Sequence, residues 1–527
     1  MVQDRVVCAR ALSILLLGLA WTGDVSSARA QAADDQDRQD AQSTVNDSLR
    51  DLQAEVKELK SLLVQMHEEV AQARAETTEL RRELQASREP ANSQSVLAEN
   101  RPGAPAVSEP KTGEQQTIAQ HLAKLEEDQQ LLAARIDDQY QTKIESASKY
   151  RIRFSGIVLL NLFATRGAVD NQDYPALAVA PGSLVPGAAV GGSLRQSQFG
   201  FEAFGPEIAG ARTTADIQFD FGGGFPNAPN GVTFGVARLR TGTIRFDWSH
   251  TSIVAGQDAL FISPLAPTSL ASLAEPAFAY SGNLWSWTPQ IRVEHRIDIS
   301  DSSRLLLQGG LLDSLSGVAP ISEYRRQPQI GQTTRQPAYA ARVAWTHDVL
   351  GRSLTLGGGG YYARQDWGFS RKVDAWAGTT DWEFPLTSKF DLSGEFYRGR
   401  AVGGLGGAIG GSIVVSGPIG DPTTFVQGLD SIGGWSQLKF HATSKVEFNG
   451  AFGQDNPYAN EIRNSSGGQQ NYFNAWLARN RTSLFNIVYH PRSDVLMSLE
   501  YRHLRTFTTI AEPYSANHID MSLGVLF

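Results

Sequence analysis

The sequence has a single cysteine, Cys8, and its longest apolar stretch is Ala11–Ala20. A membrane-spanning helix needs roughly 20 apolar residues, so a helical transporter is excluded. With one cysteine the chain has no disulfide framework and no zinc–thiolate site. Its nine histidines are dispersed, and no pair stands at metal-ligand spacing. Aromatics are nearly missing from the first 149 residues, where only Trp21 and Tyr140 occur, and glycine appears there at Gly18, Gly23, Gly103 and Gly113 alone. Lysine is scarce in the second half, with 4 from residue 150 onward against 26 arginines. The 48 aromatics of the whole chain, all but two from Tyr150 onward, exclude disorder for that part.

What is present falls into two modules. Arg5 and Arg10 precede the apolar run Ala11–Ala20, and Ala28-Arg29-Ala30 follows as an A-x-A site. Residues 1–30 therefore read as a secretory signal peptide whose removal takes Cys8 with it. Residues 31–149 carry 14 Lys+Arg against 23 Asp+Glu, a net of −9, whereas residues 150–527 carry 30 of each.

The first module reads as helix. Val45, Leu49, Leu52, Val56, Leu59, Leu63, Met66, Val70, Ala73, Leu80 and Leu84 are spaced by alternate threes and fours, with Thr77 the one break. With Leu49 at position a, Glu55, Glu69, Glu76 and Glu83 fall at g, and Lys60, Arg74, Arg81 and Arg88 at the following e. That pairing predicts a parallel, self-associating coiled coil over 31–86, and the mixed a positions leave dimer against trimer open. Pro90, Pro102, Pro105 and Pro110 mark 87–113 as a linker. Ile118, Leu122, Leu125, Leu132 and Ile136 then predict a second short coiled-coil segment within 114–149.

From residue 150 the period becomes two. Ile291, Val293, Ile297 and Ile299 alternate with Arg292, Glu294, Arg296 and Asp298. Thr213, Ala215, Ile217 and Phe219 alternate with Arg212, Asp216 and Asp220. Such strands have one apolar and one ionic side. Their length of about ten residues, and connections that alternate short and long, predict an all-β transmembrane barrel over 150–527 with tight periplasmic turns. A first count of seventeen strands becomes sixteen when Tyr472–Arg479 and Arg481–His490 are joined, which puts both termini on one side; eighteen stays open. Trp285, Trp287, Trp345, Trp382 and Trp435 suit interfacial girdles, and any one of them equally suits packing against a loop. Between Arg238 and Trp248 the charged and apolar residues share one parity, which calls for a bulge near Gly242 or a wall covered by a neighbouring subunit. In the last strand Ile519, Met521, Leu523, Val525 and Phe527 alternate with polar or small residues. The terminal aromatic Phe527 resembles the signal by which outer-membrane barrels are recognised for insertion.

The candidate pore-lining residues are Arg212, Asp216, Arg238, Arg240, Arg292, Glu294, Arg296, Arg342, Glu500 and Arg502. Guanidinium groups present paired donors to carboxylate or phosphate, and charged rings set ion preference in a pore. The equal number of acids allows two readings, a wall preferring anions and an ion-paired wall of weak selectivity. The stretch 258–282 has only the charges Asp258 and Glu275, so a constriction built from it is apolar and small. Arg325, Arg326 and Arg335 lie in a long loop able to fold inward. No catalytic constellation stands out. The glycines of 403–411 lack the helix a phosphate loop needs, and the shared parity of His518 and Ser522 is expected by chance.

Signal peptide, coiled coil and sixteen-stranded barrel together resemble the trimeric porins, specifically the DcaP-like porins related to phosphate-selective porins. Local resemblance is carried by Ala237-Arg238-Leu239-Arg240 through Val254-Ala255-Gly256-Gln257-Asp258, and by Asn486–Tyr501 with its Pro491-Arg492-Ser493-Asp494 turn. The resemblance implies a homotrimer in the bacterial outer membrane, its N-terminal module in the periplasm, and passive uptake of small hydrophilic solutes, anions among them. It implies an inward third loop and solute contacts at Arg238 and Arg240. It implies no enzyme activity, no cofactor, no metal and no nucleic acid. Expected partners are outer-membrane lipid, the barrel-assembly machinery and, through the coiled coil, peptidoglycan or periplasmic proteins. The sequence departs from the phosphate-selective pattern in lacking a dense basic ladder. The rival expectation is a structural anchor whose coiled coil tethers the envelope.

Overall fold

The computed structural model describes residues 143–144 and 151–527, save 183–186, 226–234, 318–325, 350, 472 and 474–475. The expected signal peptide, first coiled coil and linker lie outside the described residues, as does most of the second coiled-coil segment. The exception is Lys143–Ile144, which is a two-residue strand paired with Ile152–Arg153 rather than part of a helix. The physical reason is an open edge: the β16 ladder on this strand begins at Ile157↔Leu526, and Lys143–Ile144 takes up the backbone groups at Ile152–Arg153 beyond it.

The rest is a closed antiparallel barrel. Its strands are β1 (Arg151–Arg166), β2 (Ala188–Ser193 and Gln198–Ile208), β3 (Ala211–Asp220), β4 (Arg238–Asp247), β5 (Thr251–Ala259), β6 (Trp287–Ser300), β7 (Ser303–Leu312) and β8 (Ala338–Val349). They continue as β9 (Arg352–Asp366), β10 (Lys372–Pro385), β11 (Phe390–Arg400), β12 (Asp430–His441), β13 (Val446–Pro457), β14 (Leu477–Arg492), β15 (Val495–Thr508) and β16 (Tyr514–Leu526). Both segments of β2 pair with β1, so they are one strand broken at 194–197, and the count is sixteen. β16 closes on β1 from Ile157↔Leu526 to Arg166↔Asn517, which removes every long free edge. The continuous β14 bears out the joining of the two candidate strands around Asn480.

Alternation sets the faces. On β15, Met497, Leu499 and Tyr501 are 42%, 53% and 46% exposed, whereas Ser498, Glu500 and Arg502 are buried inside. β16 repeats this with Ile519, Met521 and Leu523 outside and His518, Asp520 and Ser522 inside. Apolar side chains thus form the exterior and polar ones the interior, the inverse of a water-soluble sandwich.

At one end the strands join through short turns; at the other through L1 (167–187), L2 (221–237), L3 (260–286), L4 (313–337), L6 (401–429) and L7 (458–476). Two connections at that long-loop end, L5 (367–371) and L8 (509–513), are short, so the expected long–short rhythm fails there. L3 does not stay at the rim but runs into the lumen. Leu260, Phe261, Ile262 and Leu284 of L3 join Leu405 and Ile413 of L6 and the inner faces of β7–β11 in one apolar cluster. A three-stranded sheet, Gly411–Val415 with Val426–Gly428 and Gln469–Asn471, ties L6 to L7.

For three of the tryptophans the structure decides for inward packing over the girdle. Trp345 and Trp382 sit on the exterior rows, but Trp435 is 3% exposed against Phe278 of L3, and Trp287 lies under Arg238 and Arg240. Trp285 packs between Tyr280 and Trp287. An inward loop supplies apolar partners inside the barrel, so an indole near a strand end has two places to go.

Candidate pore constriction

L3 carries almost no charge, and its position follows from its backbone. Wall side chains donate to its carbonyls: Asn161 to Leu270 at 3.1 Å, Arg240 to Leu273 and Arg238 to Ala274 both at 2.8 Å, Asn486 to Thr268 at 2.8 Å, and Asn480 to Tyr280 at 3.0 Å. Other wall groups accept from its amides. Gln437 Oε1 takes Thr268 N–H at 2.7 Å, and Gln196 Oε1 takes those of Leu273 and Ala274 at 2.8 and 3.1 Å. Buried peptide groups must be paired, and here the pairing is with donors and acceptors spread around the wall. Apolar residues add to it: Leu270 and Leu273 pack on Ile157 and Leu159 of β1 and Leu496 of β15. That explains why β1 is apolar on both faces.

Two further features seat the loop. Glu395 on β11 accepts from Ser263 Oγ at 2.6 Å, Leu265 N–H at 2.7 Å and Asn283 Nδ2 at 2.7 Å. Gly282, at φ +101°, lies against the backbone of Gly434 and Gln454, where any Cβ would collide.

The sequence-predicted arginines divide into two groups. Arg238 and Arg240 share one carboxylate: Asp220 takes Arg238 through Nη2 at 2.8 Å and Nε at 3.1 Å, and Arg240 Nη1 at 2.8 Å. Both guanidiniums lie over Trp287, at 4.8 and 4.6 Å from its ring centre. The β4 register shifts beside Gln218 and Phe219, leaving Arg240 without a partner on β3; this is the expected bulge, and it turns Thr243, Arg245 and Asp247 inward. Arg292 pairs with Asp258 at 2.7 Å and Glu294 at 2.8 Å, Arg342 with Asp381 at 2.6 Å, and Arg502 with Glu500 at 2.6 Å. Asp216 is hydrogen-bonded to Thr243. Arg212 and Arg296, by contrast, are exposed on the inner face near the short-turn end and make no ion pair among the described residues. Arg304 on β7 is a third of this kind.

Not all these residues border open space. Glu500 and Arg502 are 1% exposed beneath L3, where Ser269 Oγ donates to Glu500 and Arg502 donates to Ser272 Oγ. They hold the loop rather than line a passage. Arg326 is 75% exposed and 3.4 Å from Asp313, and Arg325 lies outside the described residues.

Above L3, toward the long-loop end, a cavity of about 780 Å³ is lined by Asp170, Tyr174, Arg195, Arg238, Glu275 and Phe225. Arg195 there is tied to Asp173. Burial pushes the L3 carboxyl Glu275 up to about 7, against the opposing pull of Arg238, and pushes Asp170 in L1 up to about 6. A second cavity of about 420 Å³ runs along L3 beside Arg240, Trp285 and Trp287. A third, also about 420 Å³, lies on the short-turn side, lined by Arg352, Asp391, Lys439 and His441.

Sequence reasoning missed Arg245, Glu395, Asp381, Asn161 and Gln196. Arg245 was hidden by the bulge. Asn161 carried a legible signal, a lone amide in the apolar run Ile157–Ala164, whose inward parity follows from its neighbours.

No protein-family model and no curated protein matches this chain. Among solved structures, the outer-membrane channel DcaP of Acinetobacter baumannii is similar over 73% of this chain and 100% of its own, with TM-score 0.55 and 13% identity. An anion-selective porin from Comamonas acidovorans aligns over 72% of this chain and 100% of its own, with TM-score 0.43 and 10% identity. The likeness to the DcaP channel is one of fold, and this chain's own fold is a sixteen-stranded antiparallel barrel.

Proposed function

We propose that the protein is an outer-membrane channel for passive diffusion of small hydrophilic solutes. The observation that carries this reading is the ionic inner wall with an apolar-and-small loop stitched across it. A barrel serving only as an anchor has no use for a loop held across its lumen by so many wall donors. In this reading the long-loop end faces outward and the short-turn end faces the periplasm, where the N-terminal module would lie. Homotrimer formation, insertion through Phe527 and contact of the coiled coil with peptidoglycan or periplasmic proteins belong to the same proposal.

The charge geometry favours weak selectivity with a lean toward anions. At the narrow level most arginines are already matched by Asp220, Asp258, Glu294 and Asp381. The lean comes from Arg212, Arg296 and Arg304, exposed on the periplasmic side and without an ion pair among the described residues, and from Arg240, which shares Asp220 with Arg238 while Glu275 pairs with Arg238 alone. Proximity of Arg238 to the outer cavity and of Arg240 to the loop cavity makes them the first solute contacts.

Planar-bilayer recording of the purified full chain tests the proposal. Long-lived open steps with a reversal potential modestly on the anion side support it. A silent bilayer from correctly folded protein overturns it in favour of the anchor.

A further inference from the structure

The exterior of the barrel carries charge where a lipid-facing wall has no need of it. Near the long-loop ends of β14 and β15, Arg479, Arg481 and Arg505 lie on the outward rows, as the inward burial of Asn480, Thr482, Leu504 and Thr506 shows. Arg481 stands directly opposite Arg505 in the strand register, and Arg479 opposite Phe507. All three guanidiniums surround that one ring, at 5.4, 5.4 and 5.0 Å from its centre. Their other partners are neutral. Arg479 Nε donates to Asn456 at 2.8 Å, and Arg481 Nε donates to Gln454 at 2.6 Å. Among the described residues no carboxylate forms an ion pair with any of the three.

The same rim elsewhere is built differently. Outward Arg364 on β9 has Asp374 at 2.7 Å, and outward Arg398 on β11 has Asp430 at 3.3 Å. At those places the barrel supplies the counter-charge itself. At β14–β15 it supplies amides and a phenyl ring, and leaves three like charges pressed together. Such a cluster repels itself unless an anion bridges it, and planar guanidiniums present paired donors suited to phosphate oxygens.

Height on the wall names the source of that anion. Four residues below Arg481 and Arg505 stand Phe485 and Tyr501, 50% and 46% exposed, which open the apolar belt. Four strand residues span about 13 Å, so the arginines sit just above hydrocarbon, at headgroup level of the outer leaflet. We infer that this patch is a binding site for the phosphate group of an outer-leaflet lipid, of the phosphorylated glycolipid class. The inference rests on the outer-membrane orientation proposed above.

The test uses the full-length protein in detergent, with diphosphorylated lipid A and the same lipid stripped of its phosphates as probes, read by native mass spectrometry. Wild type should retain the diphosphorylated lipid and not the stripped one, and a large excess of inorganic phosphate should fail to displace it. Arg479→Gln with Arg481→Gln and Arg505→Gln should lower retention by about tenfold or more, the scale of losing two or three charge-assisted hydrogen bonds. Arg364→Gln, at the self-paired part of the rim, should leave retention unchanged. Equal retention by the triple variant overturns the site, as does equal retention of the stripped lipid. Displacement by inorganic phosphate would assign the patch to a free anion instead. Loss of subunit association without loss of lipid would assign it to a neighbouring copy. Because the arginines are outside the lumen, channel conductance of the triple variant stays at the wild-type value; a silent wild-type bilayer would fault the channel reading and not this site.

Discussion

Glu275, the one carboxylate near the middle of L3, stands 3.8 Å from Arg238 of β4. The pair joins the loop to the wall at the floor of the outer cavity, where Tyr174, Arg195, Asp170, Asp173, Asp220 and Arg240 are the other charged or titratable neighbours. Burial holds the Glu275 carboxyl near pH 7, so its ionisation falls within the physiological range. Above pH 7 it is an anion that offsets Arg238, and below pH 7 it is neutral and leaves Arg238 less compensated. The reversal potential should therefore move toward anions as pH falls from about 8 to about 5. Glu275→Gln should sit at the low-pH value throughout and lose most of that shift. A variant that keeps the full pH response would assign it elsewhere, Asp170 being the next candidate.

Asp220 sets the charge of the Arg238–Arg240 pair. Asp220→Asn removes one negative charge while keeping a polar group beside both guanidiniums. One unit charge at about 5 Å in a water-like dielectric is worth ~0.8 kcal/mol, so anion preference should rise roughly three- to fourfold. Arg238→Glu combined with Arg240→Glu should reverse the sign. Bilayer reversal potentials in a salt gradient measure both, and identical values for all three proteins would take these residues out of the ion path.

Glu395 is the anchor of the first part of L3. Glu395→Ala leaves the Leu265 N–H and the Trp435 indole N–H without their acceptor, while Ser263 and Asn283 keep the carbonyls of Leu284 and Leu265, and each buried unpaired donor costs about 1–3 kcal/mol. The barrel has a separate scaffold in its ladders, so the loop should loosen while the barrel stays folded. Conductance should rise and current noise increase. Unchanged conductance with unchanged thermal stability would show that L3 does not limit the passage.

Gly282 tests the same loop from its far end. Gly282→Val places a branched side chain on the Gly434 backbone at a positive φ, a combination with no strain-free solution. Protease sensitivity within 260–286 should increase relative to wild type, with heat-modifiable gel mobility of the barrel retained.

Deleting residues 31–149 should leave the unit conductance of each channel unchanged, because every lumen contact described above comes from residue 151 onward, and the lost Lys143–Ile144 strand pairs only with the end of β1 at Ile152–Arg153. Weakened subunit association in the deletion, read by gel migration without boiling, would locate self-association in the coiled coil.

The barrel itself was legible because strand periodicity is local. Met497, Leu499 and Tyr501 against Ser498, Glu500 and Arg502 state which side meets lipid without reference to any other strand. The bulge in β4 was legible for the same reason, since Arg238 and Phe246 cannot share a parity and face opposite ways in an unbroken strand. The path of L3 was not. Its seat consists of carbonyls at Leu270, Leu273 and Ala274 meeting Asn161, Arg240 and Arg238, and a carbonyl has no residue-type signature. The choice for the inward tryptophans was not legible either, since Trp435 packs on Phe278 of L3 and Trp287 lies under Arg238 and Arg240.

From residues alone came the barrel, its apolar exterior and the inner rows of arginine, with a count of sixteen that rested on parity and left eighteen open. Tertiary structure alone decided which carboxylate meets which guanidinium, which arginines stay unpaired, and that one loop crosses the lumen. The division has a physical cause: facing is a property of one strand and its neighbours in sequence, whereas pairing inside a barrel depends on register, and on a loop whose wall partners lie far from it along the chain.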